Sequence, residues 1–221
     1  MVLKVDFHVH TEASHDCESS VEEVIEEAQR KVMDAISITD HDSVGSHEKA
    51  FELAEDKDLI IIPGIEISTS EGHLLGLNIT EEVESGLSLE ESIETVQDLG
   101  GIAVVPHPFQ YFRHGVNKKS LKKVDPDAIE VFNSRLIVGF RNFQADHYAG
   151  KNGYAKIAGS DAHAPGLVGT TFTAVSCDNS VESIIEEVKA GRTDMHKNKT
   201  PISSFIRQVL SNDWNFSFLR S

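Results

Sequence analysis

The sequence predicts an α/β fold in which seven strand–helix units build one domain of (β/α)-barrel type. Short apolar strands alternate with amphipathic helices, and near-continuous apolar strands are typical of a parallel sheet covered by helices. Polar residues recur at the carboxyl ends of these strands, where parallel α/β folds place their functional sites. A length of 221 residues fits one such domain. An open doubly wound sheet is the alternative, because alternation alone does not establish closure.

Seven apolar runs predict the strands of this sheet. We expect the third strand to have a short continuation over residues 73–78. In chain order, the strands are LKVDFHVH (3–10), AISITD (35–40), LIIIPGIEIS (59–68), IAVVPHP (102–108), AIEVFN (128–133), YAKIAGSD (154–161) and TFTAVSC (171–177).

Amphipathic segments between the strands predict the helices, with Ser19 or Ser20 capping the first and Ser88 the third. We expect the barrel to span residues 1–192. Residues 193–221 form a C-terminal tail with a short helix in PISSFIRQVL that packs on the barrel, or alternatively forms a dimer contact. The helices cover residues 20–32, 45–54, 88–99, 138–149 and 180–191.

Composition excludes several classes of protein. The formal charge is −16, from 36 acidic and 20 basic residues, so the surface would repel long nucleic acid, whereas a small phosphorylated substrate is acceptable. Two cysteines are too few for a disulfide scaffold. Without a signal peptide or an apolar run long enough to span a bilayer, the protein is expected in the cytoplasm, with no membrane partner.

Histidines and carboxylates gather at the strand ends. His8 and His10 are residues i and i+2 of one strand, so they point to the same face roughly 6.5 Å apart and can bind one metal ion. A lone histidine is more often a hydrogen-bonded core residue, but burying the whole set unpaired would be too costly. Nitrogen and carboxylate ligands without cysteine favour zinc, manganese or iron. The set is His8, His10, Asp16, His41, Glu66, His73, His107, Asp161 and His163.

Five motifs, in order, resemble the PHP (polymerase and histidinol phosphatase) family of metal-dependent phosphoesterases. They are DFHVHTEASHD, SITDHDS, IPGIEIS, VVPHP and GSDAH, between about Lys4 and Cys177. The resemblance implies a distorted (β/α)7 barrel that holds two or three divalent metal ions. It also implies a ligand scheme for each metal. His8, His10, Glu66 and Asp161 would bind the first metal, Glu66 with His73 and His107 the second, and Asp16, His41 and His163 the third.

One ligand is ambiguous, since His15 and Asp16 are adjacent candidates; the residues that follow favour Asp16. Among the ligands, Glu66, Asp161 and His163 are expected to take part in catalysis. Arg135 follows the fifth strand, where its guanidinium could bind phosphate with two hydrogen bonds. Arg113 and His114 are further candidates for substrate binding.

These residues predict a hydrolase that cleaves a phosphate monoester with a hydroxide shared by two metals across Glu66. The substrate would be a nucleotide, a short oligonucleotide end or another small phosphate ester. An amidohydrolase could use the same cluster, with an apolar pocket in place of arginines. A metal-stabilised regulatory module without turnover is the third alternative, although every metal position of the family is filled here.

Overall fold

The computed structural model describes residues 1–135 and 139–199. Within these ranges, nine strands form one curved sheet, and six α-helices pack around it. No helix in the described part of the chain is both long and apolar enough to cross a bilayer. In chain order the elements are β1 (Val2–Val9), α1 (Val21–Arg30), β2 (Ala35–Ile38), α2 (His47–Ala54), β3 (Ile60–Thr69), β4 (Gly72–Leu77), α3 (Leu89–Asp98), β5 (Ile102–Val105), α4 (Lys118–Leu121), β6 (Ala128–Asn133), α5 (Phe140–Asn152), β7 (Ala155–Gly159), β8 (Phe172–Ser176), α6 (Val181–Lys189) and β9 (Thr193–His196).

The sheet curves until its ends nearly meet, which confirms the predicted barrel. Its strand order is β7-β6-β5-β4-β3-β2-β1-β8-β9. The terminal strand β7 lies beside β1 and β8: the Ser160 amide donates to Asp6 at 2.9 Å, and the Ala158 amide donates to the Thr173 hydroxyl at 2.9 Å. Backbone pairing between β7 and its neighbours β1 and β8 is incomplete, and these side-chain hydrogen bonds replace part of it. The closed sheet then surrounds one central opening at the polar ends of the strands.

The direction of two strands, β4 and β8, corrects the expectation of seven parallel strands. β4 is not a continuation of β3 but an antiparallel partner of β3 and of β5. Only Ser70 and Glu71 separate β3 from β4, and a two-residue connection joins antiparallel neighbours, whereas a parallel crossover needs a much longer one. β8 is antiparallel to β1, and β9 is antiparallel to β8.

Strand β9 extends the sheet past residue 192, where the predicted barrel ends. It comprises Thr193–His196, which pair with Phe172–Val175 of β8. Its side chains are half-buried or exposed, so the strand is held by backbone bonds and lacks the apolar run that would predict it. The predicted tail helix, over residues 201–210, lies outside the described residues.

Apolar side chains fill the interior of the barrel away from the polar strand ends. One buried cluster combines residues of β1, β3, β4, β5, β7 and β8 with Ile184, Ile185 and Val188 of α6, so this helix closes one end. The predicted helix caps are confirmed at Ser20 and Ser88, each of which forms a capping box with the glutamate three residues later. The opposite end is left for polar side chains.

Candidate metal centre

His8 of β1, His10 directly after this strand and Glu66 of β3 form the middle of the site. His8 and His10 are fully buried, and their ring centroids lie 5.1 Å apart. The Nε2 atoms of both rings face the same carboxylate oxygen, Glu66 Oε2, at 3.0 and 3.1 Å. The i, i+2 spacing along β1 therefore brings both imidazoles to one point, as the sequence predicts.

The second oxygen of Glu66 faces another pair of histidines. His73 Nδ1 lies 2.8 Å and His107 Nε2 lies 3.1 Å from Glu66 Oε1. The antiparallel direction of β4 explains the position of His73, since this strand starts at the polar end of the barrel and pairs His73 with Ser68. One carboxylate thus has a separate pair of imidazoles on each oxygen, which is the arrangement expected of a ligand that bridges two metals.

A third group lies beside the first. His163 Nε2 is 2.9 Å from Asp16 Oδ2, and His41 Nε2 is 3.7 Å from Asp16 Oδ1. The rings of His10 and His163 are only 4.1 Å apart, so this group adjoins the first one directly. His15, the alternative to Asp16, is exposed, and its ring lies 5.0 Å from that of His41. The structure therefore places Asp16, and not His15, between the two histidines.

Asp161 completes the set at the end of β7. Its carboxylate is buried and lies 3.8 Å from His10 Nε2 and 3.3 Å from His163 Nδ1. The backbone φ is +54° at Asp161 and +29° at His107. Non-glycine residues adopt such values at a cost, and they cluster at functional sites. All nine predicted ligands thus converge on one opening.

The geometry and chemistry of these side chains fit metal ions. Four groups of three residues have ligand atoms within 4.8 Å of one another. Among the described residues, three buried atoms of the predicted ligands have no hydrogen-bond partner: His41 Nδ1, His107 Nδ1 and Asp16 Oδ1. Buried polar atoms without a partner are costly, and a cation would satisfy those that face the cluster. The overlapping groups are His10–His41–His163, His8–His10–Glu66, His8–His107–Asp161 and His41–Glu66–His73.

The charges within the cluster are strongly coupled. Burial opposes ionisation of Glu66, but His8, His73 and His41 outweigh it and hold the pKa of this carboxyl well below its usual range. Burial likewise opposes protonation of His8, yet Glu66 and Asp161 raise the pKa of His8 well above normal. Burial lowers the pKa of His10, His41 and His107, and these neutral imidazoles are the form that binds metal.

Comparison with known proteins agrees with this geometry. The PHP domain family matches residues 6–164, which is more than half of the chain, and a PHP-associated family matches residues 139–193. The chain belongs to the PHP domain family. This membership confirms the resemblance seen in the five sequence motifs.

This PHP domain is similar to several known proteins at modest sequence identity. The uncharacterized protein MJ1587 of Methanocaldococcus jannaschii is 32% identical over 142 residues, which are 60% of this chain and 82% of that protein. A Bacteroides vulgatus two-domain protein containing a predicted PHP-like metal-dependent phosphoesterase superposes with a TM-score of 0.76 at 21% identity, over 96% of this chain and 70% of that one. An amidohydrolase from Chromobacterium violaceum, solved with sulfate and no metal, gives a TM-score of 0.65 at 18% identity, over 87% and 97%.

Two arginines reach the centre of the PHP domain from neighbouring loops. Arg113 bonds to Asp161 and, at 3.3 Å, to Asn133. Arg135 lies 3.3 Å from Asp161 on its other oxygen and also contacts the ring of His163. Both predicted phosphate-binding arginines therefore adjoin the predicted metal ligands and are not surface salt bridges. The third candidate, His114, is exposed, and its ring stacks on that of His73 at 5.1 Å.

A supporting residue that the sequence analysis missed is Glu130 of β6. It is buried, and its Oε1 lies 3.2 Å from His8 Nδ1. Its Oε2 accepts from the His107 amide at 2.8 Å and from Asn133 at 3.0 Å. A carboxylate that accepts the second N–H of a ligand histidine fixes the tautomer and orientation of the ring. The sequence does contain a feature that could have identified Glu130. AIEVFN, like IPGIEIS, places one glutamate in an otherwise apolar strand.

His10 has its own support in a buried hydroxyl and carboxylate. The hydroxyl of Ser14 lies 3.0 Å from His10 Nδ1 and donates to Asp40 at 2.8 Å. Asp40 also accepts from the amide and hydroxyl of Thr11 and from the hydroxyl of Ser46. Both oxygens of this carboxylate therefore already accept hydrogen bonds from other protein groups. This explains why Asp40, although next to His41, does not join the cluster.

Proposed function

We propose that this PHP domain hydrolyses phosphate monoesters of small molecules, with two or three divalent metal ions held by the nine clustered residues. The observation that carries the proposal is the environment of Glu66, whose two oxygens each face a different pair of histidines. A single structural ion would not need a carboxylate shared in this way. Zinc, manganese and iron suit these nitrogen and oxygen ligands.

When bound, such ions lower the pKa of water toward neutrality and offset charge on phosphoryl oxygens. The protein supplies the remaining parts of the reaction. Arg113 and Arg135 form the cationic side of the opening, where guanidinium groups can bind a phosphoryl group with paired hydrogen bonds. Glu130 holds His8 in place, and His163, beside Asp16 and Arg135, would hold a metal ion that offsets charge on the leaving oxygen.

Phosphate release tests the proposal directly. Purified protein supplied with manganese or zinc should release phosphate from an aryl phosphate, and Asp161→Ala should abolish the release because it removes a ligand and the partner of both arginines. Asp98→Ala, on the exposed end of α3, is the matched control and should retain full activity. Equal rates from the Asp161→Ala and unchanged proteins would refute the assignment.

Amide hydrolysis is the second candidate, favoured by the structural similarity to the Chromobacterium violaceum amidohydrolase. The same cluster could act on a cyclic amide or lactone. The two arginines argue for phosphate, since an apolar lining would suit a cyclic amide better. Assays on phosphate esters and cyclic amides with one metal-loaded preparation separate the two reactions: phosphate release without amide cleavage is the expected result.

A further inference from the structure

Helix α5 exposes two phenylalanines on its outer face. Phe140 is 65% exposed and Phe143 is 70% exposed. The ring of His147 stacks on that of Phe143 with centroids 6.5 Å apart, and it extends the row by one turn, since residues i, i+3 and i+7 share one face of a helix. These three side chains are called the outer row of α5. Apolar side chains grouped in solvent mark a surface that another segment or another protein covers.

The opposite face of α5 is already occupied by the barrel. Asn142, Ala145, Tyr148 and Ala149 are buried there. The side chain of Asn142 also accepts from the Asn133 amide at 3.2 Å and donates to the Asn133 carbonyl at 3.0 Å. These contacts fix the rotation of the helix, so the outer row points away from the barrel. An outer helix ordinarily exposes polar side chains in this direction.

The C-terminal part of the chain runs along α5 toward this row. Lys197 Nζ lies 3.2 Å from Asp146 Oδ2, in the middle of the helix. Lys199 Nζ lies beside Gly139, where an added Cβ would meet it at 3.0 Å, and Gly139 directly precedes α5. Lys199 is the last residue that the structure describes. The next residues of the chain therefore start close to Phe140.

The segment that follows carries a matching apolar stripe. Thr200 and Pro201 are residues typical of the cap and the first position of a helix. Apolar residues then recur at intervals of three and four, which predicts a helix with one apolar face, and serine, arginine and glutamine fill the other positions. The stripe comprises Ile202, Phe205, Ile206, Val209 and Leu210.

The length of the connection limits where this stripe can lie. Ile202 follows Lys199 by three residues, and three extended residues span at most about 10 Å. A helix over residues 202–210 is about 12 Å long, close to the roughly 10 Å between Phe140 and His147 along α5. The segment is therefore long enough to cover the outer row, and its first apolar residue is held near the start of α5.

We propose that residues 202–210 form a helix whose apolar stripe packs on the outer row of α5. A second copy of the chain is the rival occupant of this surface. The short connection favours the chain's own segment, because a flexible tether of a few residues gives an effective concentration in the millimolar range. This docking lies on the exterior of the barrel and does not depend on hydrolysis at the metal centre.

Hydrogen exchange of the full chain, followed by mass spectrometry, tests the proposal. An isolated helix of this length is barely stable in water, so slow exchange of its amides requires docking. We expect the amides of residues 204–210 to exchange at least about a hundredfold more slowly than in an unstructured peptide of the same sequence. Phe140→Ser/Phe143→Ser should reduce this protection by at least about tenfold. Unprotected amides in the unchanged protein would overturn the proposal.

Two variants serve as controls for the surface. Phe140→Leu/Phe143→Leu keeps the outer row apolar and should retain the protection. Tyr111→Ser/Phe112→Ser removes two rings of the loop between β5 and α4, which are 87% and 97% exposed, and should also leave it unchanged. Protection that is lost in this loop variant and kept in Phe140→Ser/Phe143→Ser would place the segment elsewhere and overturn the proposal. All four rings are largely exposed, so the variants should fold, which circular dichroism checks.

Changes within the segment test the other side of the contact. Phe205→Ser/Ile206→Ser should remove the same protection, whereas Ser203→Ala/Gln208→Ala, outside the apolar stripe, should preserve it. Light scattering on the same samples distinguishes the rival occupant. A dimer that Phe140→Ser/Phe143→Ser dissociates, with residues 204–210 unprotected throughout, would show that a second copy covers the outer row and would overturn the proposal.

Discussion

At the scale of single residues, Glu66 controls the arrangement of the metal centre. Four histidine nitrogens lie within 3.1 Å of its two oxygens. Glu66→Gln keeps the shape but removes the charge, and an amide is a poorer metal ligand. We expect bound metal to decrease and turnover to fall by at least about a hundredfold, equivalent to roughly 2.7 kcal/mol of activation free energy. Metal content and phosphate release are measured on the same sample.

The control for this change is Glu94→Gln on the exposed face of α3, which removes an equal charge far from the cluster. It should bind metal and turn over substrate normally. If Glu66→Gln kept its full metal content and near-normal turnover, Glu66 would not be a bridge, and a mechanism with two metals sharing one water would have to be abandoned.

Glu130 acts at the same scale but through other residues. Glu130→Gln would present an amide to His8 Nδ1, the His107 amide and Asn133, and a neutral amide cannot accept from all three as the carboxylate does. Metal affinity should weaken by about tenfold to a hundredfold. A metal titration measures this without any substrate. Glu52→Gln, on the exposed face of α2, should bind metal normally; an unchanged affinity in Glu130→Gln would show that the contact to His8 is incidental.

At the scale of elements, the closure of the barrel depends on one glycine of β7. A Cβ at Gly159 would lie 2.6 Å from the His8 Cβ and 2.7 Å from Glu130 Oε1. Gly159→Ala should therefore push β7 away from β1 and displace a ligand histidine. Overpacking of this kind costs about 1–3 kcal/mol. We expect a melting temperature lower by several degrees, together with weaker metal binding.

Gly166→Ala is the matched control, because a Cβ there meets no atom within 4 Å. It should melt and bind metal as the unchanged protein does. Gly159→Ala with normal stability and normal metal affinity would show that β7 and β1 tolerate a wider separation than the structure gives.

The elements also show how far the sequence can predict the fold. Apolar runs locate β1, β3 and β5 because buried strands need apolar side chains on both faces. The same kind of run at β4 carries no information on direction, which is set instead by the turn at Ser70 and Glu71. β9 has no apolar run at all, since a short edge strand needs only backbone partners.

The site follows the same logic. His8, His10 and Glu66 are predictable because a titratable residue in an apolar strand needs a reason to be buried. The pairing of particular nitrogens with each oxygen of Glu66 depends on ring orientation, which only the folded structure gives. Exposure of Tyr111 and Phe112 is likewise unpredictable, because aromatic residues in a loop are as often packed as exposed.

At the scale of the whole molecule, the metal centre joins segments that are distant in the chain. Residues of β1, β3 and β4 and residues that follow β2, β5 and β7 meet there, and the backbone ladder between β7 and β1 is incomplete. A ligand that binds only the folded state adds to its stability, by about 2.7 kcal/mol at a free concentration one hundred times its Kd. Removal of metal by a chelator should therefore lower the melting temperature, and added manganese or zinc should restore it.

The pH dependence of this stabilisation has a definite sign. Metal binding requires neutral imidazoles, whose ordinary pKa is about 6.5. Although burial opposes it, the carboxylate of Glu66 raises the pKa of both His8 and His73, so in the metal-free protein these rings keep their protons to higher pH. Protonation stabilises the metal-free fold below that range and competes with metal. The difference in melting temperature with and without metal should therefore be large near pH 7.5 and shrink toward pH 5.5. A non-zero difference that stays constant across this range would refute the competition between protons and metal. A melting temperature that does not move when all metal is removed would mean that the cluster contributes nothing to holding the barrel closed.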